Sequence, residues 1–140
     1  MGVFGGFMLV AIVAFYAGLL GFIAVGLSVI VVRRRVANKV SFGSGGNPDL
    51  ERAIRVHGNF TEYVPLILLL LLLLALGGTS AYLLHGLGIA LVLARLLHAQ
   101  GLLSSPGESR GRTLGVALTW IVLILASVRA IVLGVTSFLL

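Results

Sequence analysis

Polar side chains recur at helical spacing in the segment 51–65, directly before a run of leucines. With about 100° of rotation per residue, four of them share one helix face within an arc of roughly 80°, with Tyr63 at its edge. These four are Arg52, Arg55, Asn59 and Glu62. Charged side chains inside membrane segments usually face a bundle interior or a cavity, and they mark functional sites. The stripe is therefore the first candidate site, and its chemistry is ionic.

The carboxylate of Glu62 needs a cation if it lies within a membrane. It follows about 13 residues of predicted helix, which corresponds to roughly 20 Å and places it in one half of a bilayer. Arg55 on the same helix and Arg95 further along the chain are the available partners. Two interpretations stay open, a buried ion pair that fixes helix packing and a ligand site that uses the same pair.

Two further clusters carry charge or hydrogen-bonding capacity. Arg95 and His98 are three residues apart and share a helix face, where His98 either packs or donates a hydrogen bond to a ligand. Arg110 and Arg112 precede the last apolar stretch, and together with the stripe they would form a cationic mouth suited to a carboxylate-bearing ligand. The three histidines lack ligand spacing, so no metal site is predicted.

Composition indicates that these residues belong to an integral membrane protein. Of 140 residues, 59% are hydrophobic and 10% are charged, whereas soluble domains carry about a quarter charged residues. The net charge of +6 does not indicate a nucleic-acid partner, because the basic cluster of residues 33–39 directly follows the first apolar span. The absence of cysteine excludes disulfides and thiolate metal ligands.

The apolar segments predict an all-α, antiparallel four-helix transmembrane bundle that forms a single domain over residues 1–140. The predicted spans are 3–32, 49–76, 81–103 and 112–138. Small residues suggest packing seams on the first span and, at Gly86, Ala90 and Ala94, on the third. The positive-inside rule places the loops 33–48 and 104–111 in the cytoplasm and both termini outside.

The pattern ERxxRxxxNxxEYxP over residues 51–65 resembles the second-helix signature of the MAPEG family, membrane-associated proteins in eicosanoid and glutathione metabolism. The likeness extends to the run ARLLHAQG over residues 94–101 and to the four-span plan, and it is closest to the small bacterial members. The resemblance implies a multi-pass protein of a bacterial inner membrane. It also implies a homotrimer that binds glutathione between subunits near the cytoplasmic face, among membrane lipids.

The resemblance also assigns residues. By position, the residues that it places against glutathione are Arg34, Arg52, Arg55, Asn59, Glu62, Tyr63, Arg95 and His98. An arginine at the start of the fourth helix stabilises the glutathione thiolate in the family, and here it is Arg112, with Arg110 as the alternative. Some family enzymes carry a tyrosine where this chain has Leu102, so one expected hydroxyl is missing.

Two functions are consistent with this resemblance. The first is a glutathione transferase or peroxidase, with glutathione as co-substrate, that acts on hydrophobic electrophiles or lipid hydroperoxides. The second is a non-catalytic scaffold that binds lipid or glutathione, which the leucine at position 102 favours. A fold shared with enzymes does not by itself establish catalysis.

Overall fold

The computed structural model describes residues 3–104, 107 and 109–139, and it consists of four long helices. The helices are α1 (Val3–Asn38), α2 (Pro48–Leu76), α3 (Ala81–Ser104) and α4 (Arg110–Phe138). Each is long and apolar enough to cross a membrane, which confirms the predicted all-α bundle of four spans. Of the predicted loop between the third and fourth spans, Ser105, Pro106 and Glu108 lie outside the described residues.

Helix α1 continues six residues beyond the end predicted from its hydrophobicity, to Asn38 instead of Val32. Charge ends an apolar span but not a helix, and arginine is a good helix former. With a rise of about 1.5 Å per residue, 36 residues extend roughly 54 Å, far more than the ~30 Å hydrocarbon core. The last turns of α1 therefore project beyond the apolar layer.

Side-chain caps fix where α2 and α4 begin. The Asn47 side chain accepts hydrogen bonds from the backbone N–H groups of Asp49 and Leu50, at 3.0 and 2.9 Å. Pro48 takes the first helical position, where no N–H is required. At α4, the Ser109 hydroxyl donates to the Gly101 carbonyl at 2.8 Å and thereby ties the start of α4 to the end of α3.

The bundle has two distinct ends. We call the end where α2 and α4 begin and α1 and α3 finish the cleft end, and the end with residues 77–80, which join α2 to α3, the turn end. Large aliphatic side chains fill the interior on the turn-end side, and these include Ile67, Leu71, Leu74, Leu84 and Leu91. Helices α1 and α4 lie at opposite corners, and among the described residues they share no extensive contact.

One polar contact joins α1 to α3 within this apolar region. The hydroxyl of buried Tyr16 lies 2.9 Å from Nδ1 of His85. Gly88 makes room for the tyrosine, because a Cβ at this position would overlap the Tyr16 ring. The close approach of α1 and α3 therefore depends on the missing side chain of Gly88.

Helices α3 and α4 pack most closely through glycines near the cleft end. A Cβ on Gly115 would lie 2.5 Å from the backbone nitrogen of His98 and 2.7 Å from the carbonyl oxygen of Ala94. Within the single chain, the predicted ridge on α3 makes no helix contact at Gly86, which is exposed and has nothing within 4 Å of its notional Cβ. The ridge contributes to the α3–α4 contact through buried Ala94, and it is Gly115 on α4 that allows this approach.

Candidate functional site

A cleft of about 250 Å³ opens among α2, α3 and α4 at the cleft end. We call it the polar cleft. Its lining residues are Glu51, Arg52, Arg55, Asn59, His98, Leu102, Arg112 and Val116. Three arginines against one glutamate leave it with an excess of positive charge, so it is suited to an anion. Five of the predicted site residues meet here, namely Arg52, Arg55, Asn59, His98 and Arg112.

Helix α2 supplies half of this lining from one face. Arg52 forms an ion pair with Asp49, and it is the only ion pair among the described residues. Arg55, one turn further along, is exposed and makes no ion pair within the described part of the chain. Its guanidinium is therefore available to a ligand, and that of Arg52 is already engaged by a carboxylate on its own helix.

Arg95 lies behind the polar cleft, with an exposed fraction of only 2%. Its Nη1 donates to Oδ1 of Asn59 at 2.7 Å. Its Nη2 donates to the Thr119 hydroxyl at 2.6 Å and to the Gly115 carbonyl at 3.4 Å. One side chain of α3 thus links α2 to α4, and it does so without lining the cleft itself.

The predicted ion pairing of Glu62 is wrong. Arg95 is bound to neutral acceptors, and within the described residues no ion pair joins Glu62 to Arg55 or Arg95. Glu62 is exposed. The physical reason is position along the helix, because Asn59, one turn nearer the start of α2, reaches Arg95 first and replaces the carboxylate as its partner.

The remaining walls of the polar cleft come from α3 and α4. His98 is buried, with an exposed fraction of 4%, and it follows Arg95 by one turn on the same face. Leu102, at 8%, continues this face, and together with Val116 it contributes the hydrocarbon part of the lining. One wall of an otherwise charged cleft is therefore apolar.

The two arginines at the start of α4 differ in what they face. Arg112 lines the polar cleft, whereas Arg110 lines a separate shallow depression with Ser109, Thr113 and Leu114. Both are exposed. The structure thus brings Arg112, and not Arg110, together with the α2 stripe.

A second, larger groove of about 490 Å³ runs along the outer face of α4 from the polar cleft. It is lined by Arg112, Thr113, Val116, Ala117 and Trp120. The indole N–H of Trp120 donates to the Tyr63 hydroxyl at 3.3 Å, which links this groove to α2. Arg112 and Val116 line both spaces, so the polar cleft and this α4 groove meet at a cation.

Some predicted site residues lie outside the polar cleft. Arg34 donates to the backbone carbonyl of Asp49 near the start of α2. Tyr63 accepts a hydrogen bond from Trp120, and Glu62 and Arg110 are not among the lining residues of the cleft. These four are therefore not assembled with the other candidates within a single chain.

The structure also shows three participants that the sequence interpretation missed. Glu51 belongs to the predicted second-helix pattern but not to the predicted ligand contacts, although its spacing of four from Arg55 places it on the same face. Val116 and Thr119 follow Arg112 by four and seven residues, which is one face of α4. Helical spacing from Arg112 could therefore have predicted the positions of Val116 and Thr119.

Comparison with known proteins identifies relatives of the whole bundle. The profile described as the MAPEG family matches residues 13–132. The inner membrane protein YecN of Escherichia coli K12 is 37% identical over 112 residues, which cover 80% of this chain and 84% of the relative. The YecN protein of the O6:H1 strain matches with the same identity and coverage. The four apolar helices and these relatives together indicate an integral inner membrane protein.

Proposed function

Because this chain belongs to the MAPEG family, we propose that its polar cleft binds glutathione and that the protein is a glutathione-dependent transferase or peroxidase. Its substrates would be lipophilic electrophiles or lipid hydroperoxides. The observation that carries the proposal is the convergence of Arg52, Arg55, Asn59, His98 and Arg112 on one cleft.

The donors of the polar cleft fit the charges of glutathione. Glutathione carries two carboxylates and one amine, so it needs several cationic or N–H donors and one acceptor. Arg55 offers an unpaired guanidinium, and Asn59 offers an amide. Glu51 offers a carboxylate for the amine. The match in number and sign supports glutathione over a simple anion such as phosphate.

Arg112 is the residue that we assign to thiolate stabilisation. A free thiol has a pKa of about 8.5 and becomes nucleophilic when a fixed cation favours the thiolate. The guanidinium stays charged and does not exchange the proton, which leaves to solvent. The thiolate sulfur then forms a bond to an electrophilic carbon as the leaving group departs with its electron pair. With a hydroperoxide, sulfur attacks the terminal oxygen, the O–O bond breaks, and the alkoxide leaves and takes a proton to become the alcohol. The sulfenic acid formed on glutathione then condenses with a second glutathione to give the disulfide and water.

The α4 groove provides a path for the lipophilic substrate. It begins at Arg112 and continues along Val116, Ala117 and the exposed Trp120, on a helix that presents many large hydrophobic side chains to its surroundings. An apolar substrate dissolved in the bilayer would enter the groove sideways and reach the sulfur at its polar end. This geometry explains why a charged cleft borders a lipid-facing helix.

We propose a homotrimer, because the family resemblance implies one and because the cleft of a single chain is small. Its volume of about 250 Å³ is below the roughly 300–1,000 Å³ of ligand pockets. We assign Arg34, Glu62 and Tyr63, which lie outside the cleft, to the boundary between subunits, where a neighbouring chain completes the site. Native mass spectrometry in mild detergent should show trimers, and a population of monomers or dimers alone would refute this assembly.

The orientation in the membrane can be tested separately. The positive-inside rule places the cleft end, with its basic residues 33–39, on the cytoplasmic side. The chain contains no cysteine, so single cysteines introduced at Ser44 and Ser104 report directly on their side. In intact cells both should resist a membrane-impermeant thiol reagent, and labelling without permeabilisation would reverse the orientation.

Leu102 supports a second candidate, a scaffold that binds lipid or glutathione without catalysis. This side chain lines the polar cleft where some family enzymes carry a tyrosine, so the cleft lacks that hydroxyl. The scaffold would bind glutathione as the neutral thiol. Binding alone therefore cannot separate the two candidates, whereas the ionisation state of the bound thiol can.

The deciding experiment measures the ultraviolet absorbance of the thiolate when glutathione is added to the purified protein. The transferase or peroxidase predicts a thiolate band that Arg112→Ala abolishes. Arg110→Ala is the matched control, because Arg110 starts the same helix but lies outside the polar cleft. Glutathione binding without a thiolate band would favour the scaffold. No glutathione binding by calorimetry would refute the enzyme and would leave only a scaffold that binds lipid.

A further inference from the structure

The buried guanidinium of Arg95 has no carboxylate partner in the described part of the chain. It is 2% exposed, and its Nε makes no hydrogen bond there. A buried charge without a counter-ion is costly, and in membrane segments such residues face the functional interior. Its bound partners are all neutral acceptors, namely Asn59, Thr119 and the carbonyl of Gly115.

The contact with Arg95 decides which way the Asn59 amide points. An asparagine side chain has one oxygen that accepts and one nitrogen that donates, and the two ends look alike in shape. Arginine can only donate, so the end that faces Arg95 at 2.7 Å must be Oδ1. The two N–H groups of Asn59 are therefore turned away from Arg95, on a residue that lines the polar cleft.

The Arg95 guanidinium is also hydrogen bonded to α4, on the side opposite Asn59. Thr119 accepts from Arg95 at 2.6 Å, and its hydroxyl donates to the Gly115 carbonyl at 2.7 Å. The Thr119 hydroxyl thus both accepts one hydrogen bond and donates another. This pair of bonds fixes the plane of the Arg95 guanidinium. Through this chain of bonds, Asn59 on α2 is held in register with the helix that carries Arg112.

We propose that Arg95 is a positioning residue that orients the Asn59 amide so that its N–H groups donate to an acceptor of the bound ligand. This inference rests on the proposed function, in which the ligand is glutathione. Asn59 and His98 line the cleft and Arg95 does not, so Arg95 lies behind them and does not touch the ligand. Arg95 acts by fixing the direction of the Asn59 amide and by placing a positive charge behind that amide.

A double-mutant cycle tests whether Arg95 acts through Asn59. The glutathione dissociation constant is measured by calorimetry for the wild type, Arg95→Met, Asn59→Ala and the double variant. Each single change should raise the constant about tenfold, and the double variant should be no weaker than the single ones, because the second change removes nothing further. Independent effects would multiply to about a hundredfold.

Partial replacements distinguish positioning from general loss of structure. Arg95→Lys keeps the charge but has no fork that could bind Asn59 and Thr119 together, so it should recover only part of the affinity. Thr119→Val removes the brace alone and should raise the dissociation constant about threefold. Thr136→Val is its matched control, because Thr136 also donates to the carbonyl four residues earlier on α4 but accepts from no arginine among the described residues.

The outcomes separate this inference from the proposed function. If the wild type does not bind glutathione, both are overturned. If it binds and the effects of Arg95→Met and Asn59→Ala multiply, only the positioning role is overturned. If Arg95→Met does not fold, the same cycle is run with Thr119→Val and Asn59→Ala, where non-additive constants support positioning and multiplying constants refute it.

Discussion

The two ends of the bundle differ in the types of side chain that they bury. Near the turn end, α2 and α3 pack through fully buried aliphatic side chains such as Ile67, Leu71 and Leu91. Toward the cleft end, the buried positions include Arg95, His98 and Thr119, which hydrogen bonds and close backbone approaches hold in place. The buried arginine and histidine of the described residues therefore both lie toward the cleft end.

The difference between the two ends reflects what it costs to bury apolar and charged side chains in a membrane protein. In lipid, apolar side chains gain little by meeting each other, so the turn-end half is held mainly by the fit of its side chains. A buried guanidinium is costly, and it persists only where bonds to other helices compensate it. The buried polar residues of the cleft-end half therefore lower stability but form the candidate site. Substitutions there should mainly change ligand binding and turnover, whereas substitutions in the turn-end half should mainly change the melting temperature.

The largest expected effect is on turnover, from Arg112→Ala at the cleft end. If this guanidinium stabilises the thiolate, its loss should lower kcat by about 10² or more and raise the glutathione dissociation constant much less. Arg55→Ala should do the reverse, because it would bind a carboxylate remote from the sulfur. Arg112→Lys should restore only part of the rate, since an ammonium lacks the planar fork.

The control for this series is Arg110→Ala, which removes a neighbouring cation outside the polar cleft. Steady-state rates and calorimetry on the four variants give both constants. A catalytic defect in Arg110→Ala instead would shift the assignment by two residues along α4. Normal turnover in both alanine variants would contradict the thiolate mechanism.

The next effect concerns the α3–α4 contact that shapes the polar cleft. In Gly115→Ala the new methyl group would meet backbone atoms of His98 and Ala94 at 2.5 and 2.7 Å, which no side-chain rotation can relieve. The helices must separate, so glutathione affinity should fall about tenfold and the melting temperature should drop. Gly134→Ala on the same helix has nothing within 4 Å and should change neither.

The general architecture and much of the site could be predicted from local sequence. Four apolar segments predict four membrane helices because length and hydrophobicity alone satisfy the requirement for crossing lipid. The α2 lining of the cleft follows from 3.6-residue periodicity, which places Arg52, Arg55 and Asn59 on one face without knowledge of the fold. The cap at Asn47 is equally local.

Pairings between helices could not be predicted in this way. Arg95 and Asn59 are 36 residues apart, and no periodicity within one helix decides whether Arg95 meets Asn59 or Glu62. The choice depends on how far α2 and α3 are shifted along their axes, which is set by tertiary packing. The same applies to Gly115, whose role becomes visible only when the backbone of α3 lies against it.

At the turn-end half, Gly88→Ala should reduce stability without affecting ligand binding. The added methyl group would meet the ring of Tyr16 and break its hydrogen bond to His85. Overpacking of this kind costs about 1–3 kcal/mol, measurable as a lower melting temperature. Gly86→Ala, two residues earlier with open space around it, is the matched control and should be neutral. A loss of glutathione affinity in Gly88→Ala would show that the two halves are coupled.

The smallest expected effect compares two carboxylates on α2. Glu51 lines the polar cleft and Glu62 does not, so Glu51→Gln should weaken glutathione binding about threefold and Glu62→Gln less than that. Neither should lower the melting temperature, because no ion pair joins Glu62 to a cation among the described residues. Calorimetry in the trimer decides the order. A larger loss with Glu62→Gln would move the amine of glutathione to the boundary between subunits, and Glu51 would then act only on the helix dipole.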